Sequence, residues 1–180
     1  MNQSFKKTAQ FYARHAWQYP GKVLGVLLAT PLTILINSYL PPLLVADVLN
    51  KLSTNRYTAA DIWPAFGPQL IAYLGLLLLG ILSWRLVDYF AWRLEANVQR
   101  DVAQQVFNHL LSESVDFHAN NFSGSLVSQS NKLMGGYIRT ADTTIFQTYP
   151  LLIGLVLTNI ILVGPAPLFI LVLDIFAIGF

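Results

Sequence analysis

Residues 62–111 read IWPAFGPQLIAYLGLLLLGILSWRLVDYFAWRLEANVQRDVAQQVFNHLL, and this stretch decides the fold. Its first part, Ile62 to Trp84, carries no charged side chain. A helix needs about 20 apolar residues to cross a hydrocarbon core about 30 Å thick, so this part is long enough. Past Arg85 the pattern changes without a break. Val87, Ala91, Leu94, Val98, Val102, Val106 and Leu110 recur every three or four residues, while Arg93, Asn97, Arg100, Gln104 and Asn108 fill the opposite side. That is the period of a helix with one buried and one wet face. The spacing therefore predicts one helix, spanning lipid over 62–84 and continuing in water to about 111. Its wet half would project about 40 Å, and a helix extended so far needs something to pack against.

Two further uncharged stretches lie on either side. Val23 to Ala46 predicts a first span over about 23–47. Thr143 to Leu173 is too long for one straight span and is broken by Gly164-Pro165-Ala166-Pro167, which is turn chemistry. It predicts a span over 143–163, a short turn, and a fourth span over 167–180. That fourth helix offers roughly 20 Å, short of the bilayer, as expected of a portion of a longer protein. Pro31, Pro41 and Pro150 are predicted to kink their helices.

The bulk figures agree. The chain is 54% hydrophobic and 11% charged, with a mean hydropathy of +0.51. Soluble domains are about 25% charged, and a chain with so little charge cannot cover a soluble exterior. A net charge of +2 with no basic stripe gives no footprint for nucleic acid. The absence of cysteine excludes disulfides and cysteine-based metal sites. Lys6, Lys7, Arg14 and Lys22 precede the first span, and Arg85, Arg93, Arg100, Lys132 and Arg139 lie between the second and third. The positive-inside rule then predicts a cytoplasmic N-terminus and a cytoplasmic 85–142 segment.

Residues 1–20 mix Lys6, Lys7, Arg14 and His15 with Phe5, Phe11, Tyr12, Trp17 and Tyr19. Apolar positions 5, 9, 12, 13, 16 and 17 approximate one face, predicting a helix lying along the headgroups. Below the membrane, Asp116 suits the start of a short helix and Gly124 its end. Ser123-Gly124-Ser125 then turns the chain, and Leu126, Val127, Leu133, Met134, Tyr137 and Ile138 lead it back up.

At these residues the chain resembles the transmembrane domain of ABC exporters, the ATP-binding-cassette transporters. The similarity runs through the N-terminal amphipathic helix, Leu40-Pro41-Pro42-Leu43-Leu44-Val45-Ala46-Asp47, the long second helix with Arg93 and Arg100, and Phe117…Gly124-Ser125-Leu126-Val127-Ser128. It departs from the family pattern at Gln129 and Leu133, as a divergent branch would. The resemblance implies an all-α membrane bundle with a lateral coupling helix over about 116–122. Asp116, Phe117, His118, Asn120, Asn121, Phe122 and Gly124 would then meet a nucleotide-binding domain. It also implies ATP and Mg as cofactors of the complete transporter, a second transporter half as partner, and a bacterial inner membrane. This chain has no phosphate-cradling Gly-x-x-x-x-Gly-Lys-Ser/Thr loop, so ATP hydrolysis is expected to reside elsewhere.

No constellation in the sequence suits catalysis. His15, His109 and His118 are far apart and lack ligand-spaced partners, and no Gly-x-Ser-x-Gly elbow is present. Asn37, Gln69, Asn159 and Asp174 are the polar residues expected inside the spans, where facing lipid is costly. Bonds between helices and contact with a substrate are the two roles open to them. Asp174 suits a cationic substrate or a basic partner. Gly21 and Gly25 form a Gly-x-x-x-Gly pair that reads as a chance match. The other functional reading is a small stand-alone membrane scaffold or regulator that pairs with a transporter or a separate ATPase.

Overall fold

The computed structural model describes residues 3–54, 56–58, 60–114, 117, 123–164 and 166–179. Among these there is no strand. The elements are α1 (Gln3–Ala16), α2 (Pro20–Ile34), a π-helical turn (Leu35–Tyr39), α3 (Leu40–Thr54) and α4 (Ile62–Ser112). After them come α5 (Ser123–Thr143), a second π-helical turn (Thr144–Thr148), α6 (Tyr149–Leu162) and α7 (Pro167–Gly179). Three continuous helical stretches, Pro20–Thr54, Ile62–Ser112 and Gly124–Leu162, are long and apolar enough to cross a membrane. The chain is an all-helical integral membrane protein.

The prolines act in two different ways. A helical proline removes a donor and crowds the carbonyl four residues back. For Pro41 that carbonyl belongs to Asn37, and for Pro150 to Phe146; both lie in the π turns. The ladder there shifts register, and the Leu40 N–H donates to the Leu35 carbonyl five residues back. Pro31 instead sits within the unbroken α2, as Pro68 does within α4.

Ser123-Gly124-Ser125 is not a turn. These residues open α5, which runs on to Thr143. No described residue has a positive φ, so Gly124 does not adopt the left-handed conformation of a helix-ending glycine. Small polar residues tolerate a helix start when the following face is buried, and here Tyr137 is buried while Leu133, Met134 and Ile138 pack beside it.

The chain divides into two compact units whose boundaries fall inside α2 and α4 and at the start of α6. The first comprises residues 1–27 and 88–148. Its core joins Tyr12 of α1, Leu94, Val98 and Val102 of α4, and Tyr137 of α5. A second cluster joins Val26, Ala91 and Ile145. The predicted stripe along α4 is thus the packed face, while Arg93, Arg100, Gln104 and Asn108 stay exposed. Each fully buried valine contributes roughly 1.5–3 kcal/mol.

Two expectations change in this unit. Helix α1 turns Tyr12 and His15 inward, with Phe11 and Ala16 half-buried, whereas Ala9, Ala13 and Trp17 of the predicted face remain exposed. It therefore has one face on protein and another open to its surroundings. Gly25 also has a packing role. A Cβ there would come within 2.5 Å of the Phe90 ring, while Gly21 faces open space. Half of the glycine pair is a genuine helix contact.

The second unit comprises residues 28–87 and 149–180. Its outward positions are apolar, among them Leu28, Leu78, Leu82, Leu151, Ile160 and Phe176. Soluble proteins rarely expose so much contiguous apolar surface, and lipid is its natural solvent.

Candidate functional site

The π turn in the first span is the polar centre of the membrane unit. Asn37 donates to the Thr33 carbonyl (2.9 Å) and, across to α4, to the Gly80 carbonyl and Ser83 Oγ (both 3.4 Å). A Cβ at Gly80 would collide with the Asn37 amide and force that side chain to shift. Two residues on, the Tyr39 hydroxyl donates to the Gly154 carbonyl (2.6 Å) and lies 2.6 Å from Thr158 Oγ1. Those partners are on α6. One extra residue in a turn re-aims the side chains that follow, and here it sends neighbouring polar groups to two different helices.

The seam continues from Thr158 to Asn159. Asn159 Nδ2 donates to the Leu155 carbonyl and to Asp174 Oδ1 of α7, each at 3.0 Å. Asp174 is half-buried and accepts from Asn159 alone among the described residues. Helix α7 is apolar but shorter than the three membrane-length stretches, and within lipid a carboxylate there would cost roughly 2.5–3.5 kcal/mol on insertion scales. Thus Asn37, Tyr39 and Asn159 each carry a hydrogen bond from one helix to another, in three separate groups.

Gln69 lies elsewhere. It precedes Gly80 by 11 residues on α4, roughly 16 Å along the axis. Its amide nitrogen faces the Ala65 carbonyl (2.9 Å) and its oxygen faces Lys51 Nζ, which pairs with Asp47 at 2.8 Å. This cluster borders an apolar groove lined by Leu44, Val48, Trp63 and Phe66.

Of the residues expected to meet a nucleotide-binding domain, Asp116, His118, Asn120, Asn121 and Phe122 lie outside the described residues. The Phe117 N–H donates to Ser114 Oγ (3.2 Å), and Gly124 is exposed at the start of α5. No group of three metal-ligating side chains occurs among the described residues. His15 bonds the Phe11 carbonyl and Gln105 Oε1, and His109 Nε2 lies 3.4 Å from Glu113.

Several polar groups in the first unit escaped the sequence reading. The Tyr19 hydroxyl donates to Asp101, which Arg100 also approaches at 3.3 Å. The Tyr19 bond, and then Arg100, hold the Asp101 carboxyl below its ordinary range; the Asp101 bond raises the Tyr19 phenol. Tyr12 donates to the Leu133 carbonyl (2.9 Å), tying α1 to α5. Burial raises the phenols of Tyr12 and, with the charge of Glu95, Tyr137. Glu95 sits on the packed side of α4 facing Asp142. The one available signal was a carboxylate next to the apolar stripe, between Ala91 and Val98. Compared with known proteins, the chain matches no family model, no curated protein and no solved structure, so its site is read from its own chemistry.

Proposed function

We propose that this chain is the transmembrane-domain portion of an ATP-driven ABC exporter. Joined to further helices and an ATPase domain, it moves a substrate across the membrane by alternating access. The observation that carries this reading is α4, a single helix of 51 residues. At 1.5 Å per residue it is about 77 Å long, more than twice the hydrocarbon thickness. Its second half is not a loose extension, since it shares a dry core with α1 and α5. A continuous helix is the kind of element that passes displacement from a docked domain along the chain. In this reading an ATPase would push on the segment that follows α4 in the chain, which includes Phe117 and Gly124. The seam of Asn37, Tyr39, Thr158, Asn159 and Asp174 lines part of the path, and the charge of Asp174 suits a cationic cargo. In this reading the N-terminus is cytoplasmic and the membrane is a bacterial inner membrane.

A photoreactive amino acid at Phe117, in N-terminally tagged protein within source membranes, tests the proposal. Crosslinking is expected to trap an ATPase domain, either in the same polypeptide at a mass well above 20.1 kDa or as a separate chain. Capture at 20.1 kDa with no associated ATP hydrolysis would sink the exporter reading and favour a stand-alone scaffold.

A further inference from the structure

Glu95 is an anomaly in the first unit. It is only 9% exposed, and its Oε1 has no hydrogen-bond partner. Ala91 and Val98, one turn away on either side, are fully buried. Facing it from α5 is Asp142, half-buried and close enough for its charge to act on Glu95. Ala141, beside Asp142, packs against both apolar clusters, so the two carboxyl groups meet where those clusters join. Two carboxylates cannot both ionise in so dry a seam without strong repulsion. A carboxyl–carboxyl hydrogen bond requires one proton between them.

Among the described residues, no cation on the surrounding elements forms an ion pair with either carboxylate. Lys22 lies over the Tyr19 ring, and Arg100 is engaged with Tyr19 and Asp101. His15 is held by Gln105 and the Phe11 carbonyl, and Tyr12 by the Leu133 carbonyl. Arg93 stacks on Tyr89, and Arg139 lines the open face of α5, with no ion pair to either carboxylate. Tyr137 is neutral and adds no charge. Two residues after Asp142 begins the π turn Thr144–Thr148, where the hydrogen-bond ladder is irregular and a helix yields most easily.

We propose that Glu95 and Asp142 form a proton switch that latches α4 to α5 when they share one proton and releases the seam when that proton leaves. The released proton goes to solvent, and the two carboxylates then repel across the seam. Burial, followed by the charge of Asp142 and the hydrogen bond to it, pushes the Glu95 carboxyl up to about 7. The latch is therefore set below that pH and released above it. The inference concerns this unit alone and holds whether or not an ATPase docks beneath it.

The chain has no cysteine, so Ala96→Cys and Thr140→Cys, both at exposed positions, place a spin-label pair on α4 and α5 without further engineering. With the full chain in lipid nanodiscs, the label separation is expected to lengthen as pH rises, with a midpoint near 7. The infrared band of a protonated carboxyl is expected to fall about tenfold one pH unit above that midpoint. Glu95→Gln should hold the short separation at every pH and abolish the band. Asp142→Asn should keep the band but move its midpoint to lower pH, a shift that a merely structural role would not produce. An unchanged separation across pH 7 in the parent, or the same opening in Glu95→Gln, would overturn the proposal. A midpoint that tracks added Na+ or Ca2+ would overturn it in favour of a cation site.

Discussion

The two units bury opposite things. In the first, the apolar stripe of α4 points inward, and Val98 and Val102 have no exposed surface. In the second, Leu78 and Leu82 point outward, while Asn37, Tyr39 and Asn159 bond between helices. One helix, α4, contributes to both, so the reversal is not a property of helical structure. It reflects the solvent. Water drives apolar side chains together at roughly 25 cal/mol per Å² of area removed. Lipid gives no such drive, so packing and hydrogen bonds between helices hold a membrane unit instead.

The largest test of this contrast is Val98→Asp. An unpaired charge in the dry core of the first unit should cost about 4 kcal/mol or more, read as loss of the folded state in denaturant titration. A wild-type midpoint would mean that α4 and α5 do not pack there.

Leu78 and Phe107 make a sharper pair, because both are on α4 and exposed to similar degrees, 65% and 61%. Leu78→Lys should cost about 3 kcal/mol in a membrane-insertion assay. Phe107→Lys should stay within about 0.5 kcal/mol in the same protein. Equal effects would erase the solvent boundary between them.

Hydrogen bonds inside the membrane unit are worth less. Tyr39→Phe removes the hydroxyl shared by Gly154 and Thr158, and an interhelical bond of this kind averages about 0.6 kcal/mol, with a maximum of about 1.7. A loss in that range, seen as a lower unfolding midpoint in mixed detergent, would place the seam among ordinary packing bonds. A much larger effect on transport than on stability would assign it to the path.

The smallest effects separate Gly21 from Gly25. Gly21→Ala should stabilise by up to about 1 kcal/mol through helix propensity, since its Cβ meets nothing. Gly25→Ala gains the same propensity but must displace the Phe90 ring, and overpacking costs about 1–3 kcal/mol. Opposite signs in thermal unfolding are the expected result.

Linkage gives the first unit a pH dependence in the range between about 4.5 and 7. Because the Glu95 carboxyl is raised from the usual 4.5 to about 7, the folded state holds a proton that the unfolded chain has already released. Stability should therefore fall as pH climbs between those values and level off above, and Glu95→Gln should flatten the curve.

Much of this was legible in the chain itself. The absence of charge over 23–46, 62–84 and 143–173 marked stretches that fall wholly or largely in helices long and apolar enough to cross a membrane, because lipid excludes charge wherever the helix turns. The three-to-four spacing from Val87 to Leu110 set which side of α4 is packed, because an amphipathic helix has one period. Pro41 and Pro150 marked where the ladder would be disturbed, whereas Pro31, expected to do the same, sits in an unbroken helix; Gly164–Pro167 marked the turn before α7. Those are one-dimensional constraints, each acting within a few residues.

What the tertiary structure alone decided are the meetings of distant faces. Tyr39 finds Thr158 across 119 positions, and Tyr12 finds the Leu133 carbonyl across 121. Asp142 looks in sequence like the last charge before a span, and Glu95 like one more polar residue on a wet helix. Only the rotation of α5 against α4 places their carboxyl groups together. Rotation is set by how ridges and side-chain volumes interlock between helices, and no local pattern along a single helix encodes it.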